Sequence, residues 1–267
     1  MKVEAAKYNI NFNAGLTKEM RSQIHNCRVP IIEYNLKQQG INADFKDNKV
    51  VAWCVMKCCK FINSLNRNYN LSIALPKGVF VKNSSFFECK ETVAKINFAQ
   101  PIYGQNHTII PEPPAIYFSE NIFWRNLDDI PDYNYKEGWW ATDFFLEQFL
   151  HEFMHVAHID YLIKELGNAE FYEKLKLIQE PEYLESFSIK YAKLLSQICK
   201  FATKNPIEAI ACDLTKRAVD SIDKETLIPQ SNIFASAPYK KYIFPFLHKE
   251  SELDKTLRDF WNGNFNL

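Results

Sequence analysis

The sequence predicts an α+β fold, because segments of strand length come first along the chain and helical segments follow. Short apolar runs bounded by turn-forming residues occur at Leu71–Leu75, Val79–Lys82, Val93–Phe98, Thr108–Ile110 and Ala115–Ser119. From Trp139 to about Ile222, apolar residues recur at helical spacing instead. We therefore expect one domain over residues 1–267, with an α/β part to about residue 138 and a helical part from about residue 139.

Three helices are predicted before the first strand. Thr17–Asn26 and Ile31–Gln39 are short, and Gly40 ends the second of them. Lys49–Asn66 is longer and carries apolar residues such as Trp53 on a wide face. A helix with so wide an apolar face is expected to be largely buried.

Proline and glycine divide the strand segments. Pro76-Lys77-Gly78 is typical of a turn between the first two runs. The proline-rich segment from Pro111 to Pro114 precedes the last run, and proline favours an edge position because it donates no hydrogen bond to a neighbouring strand. We therefore expect Ala115–Ser119 to be an edge strand.

The second half is predicted to be a series of helices. The first begins near Thr142 or Asp143, either of which can accept a hydrogen bond from the first turn, and it ends at Gly167. Asn205 followed by Pro206 is typical of a helix start, with a capping residue before a proline at the first helical position. The later predicted helices are Ala169–Ile178, Pro181–Phe201, Asn205 to about Ile222, and Ser251–Trp261.

Charge and composition argue against several classes of partner. Basic and acidic residues number 32 each, and a zero net charge does not favour DNA, RNA or an anionic membrane. The sequence contains neither a GxGxxG nor a GxxxxGK[ST] phosphate-binding motif. It also lacks an apolar stretch of about 18 residues and the apolar run of a signal peptide. We therefore expect a cytoplasmic protein with no nucleic-acid or membrane partner.

The seven cysteines indicate reduced thiols, because an odd number, irregular spacing and no signal peptide are typical of cytoplasmic proteins. We expect most of them to be small apolar residues of the core. Cys54 and Cys58 share a helix face and could supply half of a structural zinc site. No second pair of similar spacing supplies the other ligands that such a site needs.

The strongest functional signal is the motif His151-Glu152-x-x-His155. In a helix, residues four apart lie one turn apart on the same face, so the two imidazoles can bind one metal ion. Glu152 is rotated about 100° from His151, and from there it can take a proton from a metal-bound water. Zinc suits these ligands and lowers the pKa of its water to about 7. We predict one Zn²⁺ per chain, with Glu152 as the catalytic base.

The rest of this helix indicates a buried cleft. Most of its circumference is apolar, so the histidines occupy its one polar stripe. A polar stripe on a buried helix requires internal partners or a cleft. His158 extends the stripe, but it lies about 10.5 Å beyond His151 along the axis. We expect His158 to line the cleft or to support a ligand rather than to bind the ion.

A catalytic zinc site takes three protein ligands and leaves one position for water. Among the later glutamates, Glu208 is preferred as the third ligand because it lies in the first turn of an apolar helix. A buried carboxylate there is costly without a cation beside it. Glu185 is the alternative. Asp213 or Asp220 could orient a metal-bound histidine through its second ring nitrogen.

The motif His151-Glu152-x-x-His155, followed about fifty residues later by Glu208-x-x-Ala211, resembles the gluzincin group of zinc metallopeptidases. The resemblance covers roughly residues 115–222, and its motifs are short. It implies a zincin-like domain in which a small mixed sheet packs on the motif helix. It also implies an edge strand that pairs with extended substrate, for which Ala115–Ser119 is the candidate.

The sequence departs from the commoner Glu-x-x-x-Asp form of the second motif. Position 212 is Cys212, and the aspartate follows one residue later as Asp213. This departure concerns the residue that would orient a metal-bound histidine and, to a smaller extent, the third ligand.

Two functions follow from these residues. The first is a zinc peptidase acting on a peptide or protein substrate, in which Glu152 carries a proton from the attacking water to the leaving nitrogen. A tyrosine or histidine would stabilise the oxyanion, and the candidates are Tyr183, Tyr191, Tyr239 and His248. The alternative is a non-catalytic zincin-like regulatory, binding or structural protein in which metal stabilises the fold. A chance motif in a helical interaction protein would bind no metal at all.

Overall fold

The computed structural model describes residues 16–87, 94–97, 102–103, 109–110, 114–236, 238–239 and 251–267. Within these ranges the chain has the α+β arrangement that the sequence predicts. The helices are α1 (Lys18–Asn26), α2 (Val29–Gln38), α3 (Lys49–Tyr69), α4 (Trp124–Lys136), α5 (Glu147–Leu166), α6 (Asn168–Leu177), α7 (Pro181–Leu195), α8 (Pro206–Ser221) and α9 (Glu252–Trp261). The strands are β1 (Asn42–Asp44), β2 (Gly78–Lys82), β3 (Ala94–Asn97), β4 (Ile102–Tyr103), β5 (Ile109–Ile110) and β6 (Ala115–Ser119).

Capping side chains fix where two of the helices begin. The Thr17 hydroxyl accepts a hydrogen bond from the Met20 amide at 3.1 Å, at the start of α1. Asn205 Oδ1 accepts from the Glu208 amide at 2.9 Å, at the start of α8. Pro206 follows the cap, where its missing N–H would have no helical partner. These contacts confirm the predicted start of α8 and place Glu208 in its first turn.

Four strands form one mixed sheet in the order β1-β2-β6-β3. Strands β1 and β2 are parallel, as are β2 and β6, whereas β3 runs antiparallel to β6 with Ile96 opposite Ile116. A separate antiparallel pair joins β4 to β5. Among the described strands, β1 and β3 are therefore the two edges of the larger sheet.

The prediction that Ala115–Ser119 is an edge strand is wrong, because β6 lies between β2 and β3. The proline-rich segment ends at Pro114 and does not enter the strand, so every residue of β6 keeps its amide for pairing. The edge on that side of the sheet is β3 instead.

The predicted strand Leu71–Leu75 is also wrong, since this segment forms no strand. The side chain of Asn66 accepts a hydrogen bond from the Ile73 amide at 2.8 Å and donates one to the Ile73 carbonyl at 3.0 Å. A side chain thus satisfies backbone groups that would otherwise pair with a neighbouring strand.

The motif helix starts later than predicted. Helix α5 begins at Glu147, and neither Thr142 nor Asp143 caps it. The Thr142 hydroxyl donates to the Glu147 carboxylate instead. The predicted end at Gly167 is confirmed, where φ is 80°.

Helix α5 lies at the centre of the fold. Its Phe149 ring packs on Phe118 of β6 at a centroid distance of 4.7 Å. Its most extensive contact within the described chain is with α8, in which Ala209 and Ala211 are completely buried. One cluster of buried apolar side chains extends from α1 through the sheet to α9. The motif helix is therefore held on both the sheet side and the helical side of the molecule.

The described cysteines are free thiols, and all but Cys27 are buried. Cys54 and Cys58 are completely buried in α3, and no metal-binding group within the described ranges includes them. They have the core role that the sequence predicts. None of the helices in the described part is long and apolar enough to cross a membrane.

Candidate metal centre

The structure brings His151, His155 and Glu208 together. Oε2 of Glu208 lies 3.0 Å from Nε2 of His151 and 3.3 Å from Nε2 of His155. One donor atom from each residue lies within 4.8 Å of the other two, and no other such group occurs in the described parts of the chain. Two imidazole nitrogens and one carboxylate oxygen form a donor set suited to zinc.

Helix geometry accounts for this convergence. His151 and His155 lie one turn apart on α5, with their rings edge to face at a centroid distance of 4.5 Å. Glu208 approaches them from the first turn of α8, whose position the Asn205 cap sets. Since α5 and α8 pack closely along their length, the carboxylate faces both ε nitrogens.

The cluster is partly shielded from solvent. The side chains of His151, His155 and Glu208 are 14%, 7% and 23% exposed. Burial acts to lower the pKa of His151, but the hydrogen bond and charge of Glu208 outweigh it and raise this pKa to about 9. Burial acts to raise the pKa of Glu208, and the neighbouring His155 and His151 hold it well below its usual value. The site therefore favours a positive charge beside Glu208, either a proton on imidazole or a metal ion.

Glu152 lies beside the cluster and lines the same cavity. Burial raises the pKa of Glu152, while His155 and His151 act to lower it. The carboxylate is absent from the group of three converging donors. Glu152 thus lies next to the converging donors, as the sequence predicts, and its action as a proton acceptor stays a prediction.

The cluster opens into a cavity of about 730 Å³. One wall is the edge strand β3, at Ala94, Lys95 and Ile96. An aromatic wall includes Trp139 and Phe201, whose rings meet at right angles with centroids 6.5 Å apart. The predicted cleft is thus present, whereas neither of these walls was predicted.

Glu147 is a buried carboxylate on the same helix face, one turn before His151. It is 3% exposed, accepts a hydrogen bond from the Ala141 amide at 3.1 Å, and accepts another from the Thr142 hydroxyl. Burial raises its pKa to about 7. These contacts tie the segment after Trp139 to the start of α5. Thr142 was predicted to cap the helix, and its contact with Glu147 was not predicted.

The second ring nitrogen of His151 faces a thiol. Nδ1 of His151 lies 4.0 Å from Sγ of Cys212, which is 2% exposed and also lines the cavity. Nδ1 of His155 is buried without a partner in the described residues. Cys212 stands where the commoner form of the motif has aspartate, but a contact of this thiol with His151 was not predicted.

The prediction that Asp213 or Asp220 orients a histidine is wrong. Oδ2 of Asp213 accepts from Arg217 Nε at 2.6 Å and from the Tyr239 hydroxyl at 2.8 Å. Asp220 is exposed and pairs with Lys216 at 3.0 Å. One turn of α8 separates each aspartate from its basic partner, so local pairing satisfies both carboxylates.

The prediction that His158 lines the cleft or supports a ligand is wrong as well. His158 is completely buried, and its ring stacks on Trp261 at a centroid distance of 5.0 Å. Its Nε2 lies 3.3 Å from the Trp261 carbonyl oxygen. Burial lowers its pKa to about 3. His158 is therefore a neutral core residue.

The remaining candidates lie away from the cluster. Glu185 is exposed on α7 and does not belong to the converging group. Tyr183 donates to a backbone carbonyl at 2.7 Å, and Tyr239 donates to Asp213. Neither of them nor Tyr191 is among the described residues that line the cavity. His248 lies outside the described residues.

Comparison of the chain with models of known protein families, with curated proteins and with solved structures finds no match. The site is characterised by its own residues: their donor atoms, their separation and the cavity that they line. His151, His155 and Glu208 could hold a metal ion between α5 and α8.

Proposed function

We propose that the protein is a zinc-dependent peptidase of a zincin-like, gluzincin type, in which His151, His155 and Glu208 bind the ion and Glu152 is the general base. The observation that carries this proposal is the convergence of three donor atoms within 4.8 Å, in a cavity that Glu152 also lines. A three-ligand set with an open side is typical of catalytic zinc sites, whereas structural zinc sites have four protein ligands.

The residues of the chain divide the chemistry among them. Bound zinc supplies Lewis acidity, which polarises a carbonyl and lowers the pKa of water. Glu152 accepts the proton of the attacking water and donates it to the leaving nitrogen. Burial raises the pKa of Glu152 and makes it a stronger base than a carboxylate in water, whereas a bound ion would act in the opposite direction. Removing the Glu152 proton acceptor should affect turnover much more than metal binding.

The edge strand β3 supports a peptide as substrate. Ala94, Lys95 and Ile96 line the cavity, and β3 is an edge of the sheet within the described chain. An extended peptide can add to such an edge through main-chain hydrogen bonds. In this proposal, β3 pairs with the extended substrate, a role that was expected of Ala115–Ser119.

The alternative is a non-catalytic protein in which metal stabilises the fold. Such a protein does not require a carboxylate beside the ion, so the place of Glu152 in the cavity favours the enzyme. The two functions also predict different responses to the loss of this carboxylate.

The experiment is to measure cleavage of casein and of a peptide library by the zinc-loaded protein and its Glu152→Gln variant. We expect Glu152→Gln to keep one zinc and to lose activity by about a thousandfold, within the range typical of general-base removal. Glu165→Gln, a change at an exposed position of the same helix, should cleave like the wild type. A zinc-loaded, folded wild type that cleaves nothing would favour the non-catalytic function.

A further inference from the structure

A lysine ammonium stands on the aromatic wall of the cavity. Lys204, just before the Asn205 cap of α8, lines the cavity. Its Nζ lies 3.5 Å from the centroid of the Phe201 ring. That ring in turn lies 6.2 Å from the ring of His151. The ammonium is therefore within about 10 Å of His151, or about three residues of an extended peptide at about 3.3 Å each.

The described residues offer Lys204 no anionic partner. Its one described contact is with the face of the Phe201 ring, and this type of contact is weak where the side chain is exposed. The ring can hold the ammonium at the cavity wall, but it does not replace a carboxylate. A substrate anion would find its three hydrogen-bond donors available.

The other charged groups that line the described cavity each have an interaction of their own, including Lys95 of β3. Glu208 faces the two imidazoles of the metal site, and a divalent ion would balance Glu208 together with Glu152. Glu147 is buried and hydrogen-bonded to the Thr142 hydroxyl and the Ala141 amide. With the ion bound, the Lys204 wall is therefore the side of the cavity that attracts an anion.

We propose that Lys204 determines specificity by binding a carboxylate of the substrate within about three residues of the cleaved bond. The inference rests on the proposed peptidase function and adds the substrate class. The carboxylate is either an acidic side chain or a free C-terminus, which present the same chemistry to the ammonium. A charge-assisted hydrogen bond of this kind is stronger than one between neutral groups.

Binding and cleavage can be measured separately with hexapeptides of one sequence. The peptides carry Glu or Gln at each position in turn, and each has a free or an amidated C-terminus. Zinc-loaded Glu152→Gln protein reports Kd, and zinc-loaded wild type reports kcat/KM. Each protein is compared with its own Lys204→Met and Lys200→Met variants. Lys200 is the matched control, because its ammonium lies over the Trp139 ring at 5.1 Å but the residue does not line the cavity.

We expect Lys204→Met to weaken binding of the carboxylate peptides about tenfold and to leave their neutral counterparts unchanged. Lys200→Met should change neither set. Lys204→Glu should favour a peptide with lysine in place of the glutamate. The position that responds identifies the source, since an effect of amidation assigns the C-terminus and an effect of Glu to Gln assigns a side chain.

Three results would overturn the inference. They are equal binding of carboxylate and neutral peptides by the protein with Lys204 intact, no binding of either set, and an equal effect of the Lys200 change. If binding depends on Lys204 but the wild type cleaves no peptide, carboxylate binding by Lys204 stands and the proposed peptidase activity fails.

Discussion

Two positions on the same helix put histidine into opposite environments. Near the start of α5, His151 lies 3.0 Å from the Glu208 carboxylate, and its pKa is raised to about 9. Seven residues later, His158 is completely buried against Trp261, and its pKa is lowered to about 3. Both belong to one polar stripe of the sequence, but only the first faces an anion.

The difference shows what turns a histidine stripe into a candidate metal site. Burial disfavours the charged imidazole at both positions. A carboxylate from a second helix reverses that effect at His151, whereas at His158 the nearby partner is a neutral backbone carbonyl. The Glu208 carboxylate of α8 therefore distinguishes the environment of His151 from that of His158.

The largest effect is expected from Glu208→Gln, because His151 would then face a neutral partner, as His158 does. A neutral amide replaces a charged oxygen donor, so zinc affinity should fall by more than about 100-fold, beyond the usual cost of changing a residue that only supports a ligand. Chelator competition measures this affinity. The exposed Glu185→Gln is the control and should bind zinc like the wild type; equal losses in both variants would contradict the assignment.

The burial of His158 should affect the pH dependence of the free energy of unfolding in the metal-free protein. The pKa of His158 is about 3 in the folded state and about 6.5 when unfolded. The unfolded chain binds more protons in this window, so the contribution of His158 to stability falls as pH falls below about 6.5. The free energy of unfolding should lose about 1.4 kcal/mol per pH unit there, and His158→Gln should remove that slope.

His151 provides the opposite sign as a control. Its folded pKa of about 9 lies above its unfolded value, so its contribution is full below about 6.5 and is lost as pH rises towards 9. Denaturant titrations of metal-free His151→Gln should therefore lack the slope that His151 contributes between about pH 6.5 and 9. Full retention of that alkaline slope would contradict the effect of Glu208 on His151.

A smaller effect is expected from the thiol behind His151. Cys212 lies 4.0 Å from Nδ1 of His151, where a carboxylate often orients a zinc-bound histidine. Cys212→Ala should weaken zinc binding about tenfold, and Cys212→Asp should restore or exceed the wild-type affinity. Chelator competition again serves, with Cys27→Ala as a cysteine control outside the cavity. Unchanged affinity in Cys212→Ala would exclude an orienting role.

Local patterns in the sequence were sufficient to predict that His151, His155 and Glu208 form one group. The spacing of His151 and His155 depends only on helix geometry, and Asn205 with Pro206 fixes the start of α8. The apolar neighbours of Glu208 indicated that its carboxylate needs a cation. Those three features lie within single helices, which is why they could be interpreted without knowledge of the fold.

Features that depend on contacts between distant segments were not predicted. Helix α4 was not predicted, and it contains Pro131, which lacks the amide of an ordinary helical residue. The order of strands placed β3 rather than β6 at the edge. The sequence alone gave no sign that Phe201 and Lys204 would meet at the cavity wall. The strand order and the walls of the cavity depend on tertiary packing rather than on residue spacing.

The zinc content of the purified protein tests the central claim most directly. Native mass spectrometry of wild type, His151→Ala, His155→Ala and His158→Gln gives the number of ions per folded chain. We predict one zinc in the wild type and in His158→Gln, and none in the two other variants. A folded wild type that takes up no divalent metal, or full zinc in both His151→Ala and His155→Ala, would contradict the metal centre.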